Sequence, residues 1–139
     1  MKKFILFLTV TFCIVSIPVN SQNIMKFRSA HISLSVKTDT TWGDWVYDKD
    51  GEGILITRDL SENKITVYGK EKKSFSLVTM DEVKGDKGYT TYKCICMDEQ
   101  RTKCILHLYY AKDEKTDFNF LIIEYPTKRL RFAMEMSVE

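Results

Sequence analysis

Cys94, Cys96 and Cys104 are the side chains of this sequence best placed to do chemistry. They lie in the stretch Y-T-T-Y-K-C-I-C-M-D-E-Q-R-T-K-C-I-L-H-L-Y-Y, from Tyr89 to Tyr110. Two β-rich runs flank the polar break Asp98-Glu99-Gln100-Arg101, the pattern of a hairpin. Alternate side chains of a strand share a face. Tyr92, Cys94 and Cys96 therefore lie together on one arm, and Cys104, Leu106, Leu108 and Tyr110 on the other. A turn centred on Gln100 sets Cys96 directly opposite Cys104, where a closely spaced pair can form a disulfide. A turn centred half a residue away sets Cys104 against Ile95 and leaves three buried thiols acting as small hydrophobes. Cys96 and Cys104 are the disulfide candidate. No metal is expected, because Cys94-x-Cys96 lacks the two-residue spacing and no second pair or nearby histidine completes a tetrahedral set.

The remaining chemistry-bearing residues form no catalytic constellation. His31 falls on the polar face of an N-terminal run and reads as a solvent-exposed imidazole. His107 shares the face of Ile105 and Tyr109, opposite the cysteines. No metalloprotease, nucleophile-elbow or phosphate-loop motif is present. The expectation is a non-enzymatic protein with no cofactor. The run Asp48-Lys49-Asp50-Gly51-Glu52-Gly53, with Asp59 at the twelfth position, has the start of an EF-hand loop. Its fifth position is Glu, its twelfth is Asp and its flanks read as strand, so a polar hairpin turn is the better description.

Around these residues the chain is organised simply. Residues 1 to 21 read as a secretory signal helix: Lys2 and Lys3, an apolar core over residues 4–17, then Val19-Asn20-Ser21 before a mature start at Gln22. The core is too short for a comfortable membrane span. Lipidation at Cys13 is the variant reading, which the bulky Phe12 opposes. Export, to the periplasm or beyond, agrees with the cysteine usage. The mature chain of 118 residues, 22–139, suits one domain. Its 19 basic and 19 acidic residues balance. That balance disfavours nucleic acid and anionic membrane surfaces, and no membrane span is expected in it.

Strand follows strand through this domain. Ala30, Ile32, Leu34 and Val36 alternate with His31, Ser33, Ser35 and Lys37. Runs at 53–58, 64–69 and 74–80 follow, then the cysteine hairpin, then 118–125. Last, Leu130, Phe132, Met134 and Met136 alternate with Arg129, Arg131, Ala133 and Glu135. Short helical turns fit only residues 21–27 and 112–117. About eight or nine strands with short loops predict an all-β antiparallel meander closing into a barrel or half-barrel, with a flattened sandwich as the alternative. Gly43-x-Trp45 resembles the G-x-W at the first strand of lipocalins. The resemblance covers three residues and follows a strand-like segment where lipocalins have a short helix, so it implies no activity; the lipocalin-like shape expected here rests on the meander of strands. Trp42 and Trp45 are three apart, so a regular strand would send one to the core and one to the rim.

Two functions follow from such a barrel. The first is binding of a small apolar ligand, with Tyr92, Phe132, Met134, Met136, Leu106 and Leu108 as lining. The second is a protein-interaction or inhibitor module of the cell envelope. It would use Trp42 or Trp45, Tyr47, and the outward stripe Ile105–His107–Tyr109. Either a monomer or a dimer linked through a spare Cys94 is compatible with the sequence.

Overall fold

A computed structural model describes residues 23–48, 50–85 and 87–137. The signal segment and Cys13 lie outside the described residues. The alternating runs become ten strands: β1 (Ile24–Thr38), β2 (Thr41–Trp42), β3 (Val46–Asp48), β4 (Leu55–Asp59), β5 (Lys64–Tyr68), β6 (Lys72–Val83), β7 (Tyr89–Asp98), β8 (Lys103–Ala111), β9 (Asn119–Glu124) and β10 (Lys128–Met136). Strands β4 to β10 follow one another as an antiparallel meander. The long β1 pairs with β4 on one side and β10 on the other, which closes an eight-stranded barrel. Closure removes the free edges that a half-barrel or sandwich would leave. The strand count differs from the sequence reading because β2 and β3 lie off the ring. They pair only with the far half of β1 and form a strap across its outside.

The start of β1 corrects a second expectation: residues 24–27 are strand, not a helical turn. Phe27 and Ser29 are buried on odd positions, whereas Ile32 and Leu34 turn inward on even ones. The pairing to β10 slips by one residue between Ser29 and His31. A bulge is the device that allows such a change of phase, since one extra residue re-aims every side chain beyond it. Ser29, at the slip, donates its hydroxyl to the Gly51 carbonyl and accepts from Ile54 N at 2.9 Å. Residues 50–53 are thereby folded back on β1, and Gly51 is buried against Ile32. A Cβ at Gly51 would stand 2.6 Å from Ile32 Cγ1 and 2.7 Å from Ile32 Cβ. Gly51→Ala is expected to lower stability by about 1–3 kcal/mol, as overpacking does. Chemical denaturation checks this, and an unchanged midpoint would contradict the placement.

The interior is one continuous core. Phe27, Ile56, Ile65, Phe75, Leu106, Leu121 and Met134 are each at most 2 % exposed, and the three cysteines lie among them. Local turns hold the hairpins. Asp59 accepts from Ser61 Oγ at 2.7 Å and from the backbone of Ser61 and Glu62, which holds its carboxyl below the usual carboxylate range. At the cysteine hairpin the Asp98 carboxylate accepts from Gln100 N at 3.0 Å and Thr102 N at 2.8 Å.

Candidate functional site

The cysteine hairpin has the register that a turn centred on Gln100 requires. Cys96 faces Cys104 and Cys94 faces Leu106. All three are thiols in the core. Cys96 Sγ lies 2.6 Å from Cys104 Sγ and 3.3 Å from the Cys104 carbonyl. The hydrogen bond to Cys104 and burial push the Cys96 thiol up, and burial does the same to Cys94. Such thiols are poor nucleophiles. Cys94 is wholly buried, so a dimer cross-linked through it would require the barrel to open.

The residues anticipated as a ligand lining divide: Tyr92, Leu106, Leu108, Phe132 and Met134 lie together in the core, whereas Met136 is exposed. Phe132 and Met134 are core residues, 4 % and 1 % exposed, and Tyr92 packs on that core beside Tyr110. At this end of the barrel Arg58 donates to the Tyr110 hydroxyl and to Met80 Sδ, and its guanidinium lies over the Tyr110 ring. Two clefts among the described residues are lined mainly by polar side chains. One of about 360 Å³ lies between Lys64, Lys72, Ser74, Ser76, Asp98 and Glu99. A neighbour of about 260 Å³ continues to Gln100 and Tyr125. Neither is lined by Tyr92, Phe132 or Met134.

Trp42 and Trp45 are brought together, and neither is in the core. The sequence reading sent one of them inward because it assumed a regular strand. The strand is interrupted: Gly43 N donates to Val36 O at 2.9 Å and Ser35 Oγ donates to Gly43 O at 2.7 Å, so residues 43–45 leave the ladder between β2 and β3. Both indoles come to lie over the outward face of β10. Arg129 stands 4.7 Å from the Trp42 ring and 4.5 Å from the Trp45 ring. Arg131 stands 4.5 Å from Trp45 and 5.8 Å from Phe120, and Lys37 Nζ stands 5.3 Å from the Trp42 ring. The result is a ladder of alternating rings and cations, Lys37–Trp42–Arg129–Trp45–Arg131–Phe120. Cations are attracted to ring faces, more strongly where water is excluded. Gly43-x-Trp45 therefore sits on the strap outside the ring, not on the first barrel strand.

The ladder continues into an aromatic wall. Outward positions of β8 and β9 are Ile105, His107, Tyr109, Phe120 and Ile122, all half-buried. Tyr89 packs on Tyr109 and Phe120. His31 belongs to this wall. It is half-buried between Tyr47 and Phe118 rather than solvent-exposed, and its Nδ1 is buried without a hydrogen-bond partner among the described residues. Arg129 and Arg131 are the wall residues that the sequence reading passed over. Their signal was present, as two arginines on alternate positions of the last strand facing outward.

His107 lies 3.7 Å from Glu124. Burial holds the imidazole below its ordinary value, with Glu124 opposing and Lys93 adding to the effect. The folded state therefore favours neutral His107. The unfolded chain takes up the proton first, so stability is lost as pH falls below about 6.5 towards the depressed folded value. His107→Gln is expected to flatten the thermal stability profile between about pH 7.5 and about pH 5.5. An identical profile in the variant would contradict the assignment.

The class of protein defined here is a small, closed antiparallel barrel with a continuous apolar core and an aromatic–cationic outer wall. No known protein family, curated protein or solved structure matches the chain.

Proposed function

We propose that this protein is a non-enzymatic interaction module of the cell envelope, exported by residues 1–21, whose contact surface is the outer wall of β8–β10 with its strap. The observation that carries the reading is the composition of that wall. Ile105, Tyr109, Phe120 and Ile122 occupy outward positions where a solvated barrel face carries charge, and Tyr47, 60 % exposed, packs on His31, which in turn packs on Phe118. Contiguous exposed apolar surface rimmed by polar groups is a mark of interaction sites, and rigid aromatics dominate their energetics. The other reading, carriage of a small apolar ligand, needs space at Tyr92, Phe132 and Met134. Those side chains instead pack within a continuous core.

A photo-crosslinking residue at position 109, tested in the intact envelope, checks the proposal. Tyr68 is the control, being exposed on β5, four strands away from β9 in either direction around the ring. A saturable adduct of defined mass from position 109 and none from position 68 is expected. Equal labelling from both positions, or none from 109, would overturn it.

Export also implies an oxidising compartment. We propose that Cys96 and Cys104 are joined there by a thiol–disulfide oxidase, their two thiol protons and two electrons passing to the disulfide of that oxidase. Peptide mapping without reduction is expected to yield one linked pair and a free Cys94. Recovery of unlinked Cys96 and Cys104 peptides would sink this.

A further inference from the structure

We infer that the outward face of β10 is a carboxylate-binding strip that takes an extended acidic protein segment, with Arg129 and Arg131 as its two anion clamps. This rests on the interaction reading above and names the chemistry of the partner. Both guanidinium groups are fixed by stacking rather than by acids. Arg129 is held between Trp42 and Trp45, and Arg131 between Trp45 and Phe120. Neither forms an ion pair among the described residues. The near carboxylate is Glu124, across β9–β10 from Arg129, and it is directed to His107. Asp39 and Asp44 on the strap are exposed and stand in no ion pair with either arginine. The Nε atoms of both arginines are buried without a hydrogen-bond partner among the described residues.

A guanidinium sandwiched on its faces can offer hydrogen bonds only at its edges, in the plane that suits a carboxylate fork. Because stacking has already immobilised the two side chains, little rotamer entropy remains to be lost on binding. The spacing selects the occupant. Arg129 and Arg131 are two residues apart on one strand, so they repeat at about 6.6–6.8 Å, and acids at alternate positions of an extended peptide repeat at the same interval. Lys37 and Lys128 flank the strip and add attraction. The aromatic wall beside Phe120 offers a surface for an apolar residue of the same segment.

The test uses a short peptide alternating glutamate and threonine, its glutamine counterpart, and polygalacturonate as a carboxylate polymer that is not a protein. Tryptophan fluorescence of the intact protein reports binding, since both indoles line the strip. The glutamate peptide is expected to bind, and to weaken markedly between about 50 mM and about 200 mM salt. The glutamine peptide is expected to leave the signal unchanged. Arg129→Gln with Arg131→Gln should reduce affinity about tenfold or more, and a circular dichroism spectrum shows whether the variant is folded. Arg129→Lys with Arg131→Lys keeps the charge but not the fork, and should lose affinity several-fold. No binding of the glutamate peptide, or full affinity in the lysine variant, overturns the inference, as does binding of polygalacturonate alone. If the peptide fails while the adduct from position 109 persists, the interaction reading stands without this partner. If that adduct is also missing, both fall.

Discussion

Replacing Phe75 with alanine is expected to lower stability by about 3–5 kcal/mol, the range for truncating a fully buried aromatic. Phe75 is 0 % exposed and lies across β5–β6 from Ile65, itself 1 % exposed. Its removal leaves a hole in an interior that the surrounding strands cannot collapse into, because hydrogen bonds close the ring on every side. A domain of this size has about 5–15 kcal/mol to lose, so the variant should be near its folding limit at ordinary temperature. The reverse substitution is the sharper discriminator. Cys94→Leu adds bulk at a position that is 0 % exposed and faces Leu106. In a filled barrel it should be destabilising by about 1–3 kcal/mol. In a barrel built around a ligand cavity it should be neutral or stabilising. Equilibrium urea unfolding of both variants distinguishes the two, and a stabilised Cys94→Leu would argue for a hollow interior.

Replacing Trp45 with alanine is expected to cost about 2 kcal/mol, more than the same change at Trp42. Trp45 is the ring shared by both arginines, each 4.5 Å from its centroid, whereas Trp42 serves Arg129 and Lys37 from the end of the ladder. Two partly desolvated cation–π contacts of about 0.5–2 kcal/mol each are lost together. The two guanidinium groups, left close on one strand, then repel each other without a ring between them. A double-mutant cycle with Arg131→Gln should return a coupling energy well above zero. Additive effects of the two substitutions would mean that the stack contributes no stability.

Much of this barrel was legible in residue spacing. The polar break narrowed the cysteine hairpin to two registers, half a residue apart, and the Asp98 carboxylate, which accepts from Gln100 N and Thr102 N, accompanies the one that sets Cys96 against Cys104. The inward set on β10 follows from simple alternation. Even the bulge in β1 left a trace, because the apolar phase is odd at Met25 and Phe27 and even at Ile32 and Leu34. What was not legible depended on tertiary contact. Closure needs β1 to meet β10 from the other end of the chain, and no local pattern encodes that pairing. The tryptophans were misplaced because a strand was assumed to run through Gly43, where a hydrogen bond to Val36 O takes the chain off the ladder. Arg129 and Arg131 read as an ordinary polar face. Only the return of the strap over β10 gives them rings to stack on.

Native mass spectrometry of the protein purified from its export compartment tests the central claim, that the interior is filled and the outside is the working surface. The expected spectrum shows no small-molecule adduct, with the two-hydrogen loss of a Cys96–Cys104 bridge. A reproducible adduct of small-ligand mass, retained under native conditions and expelled on denaturation, would contradict the account and move the functional site to the inside of the barrel.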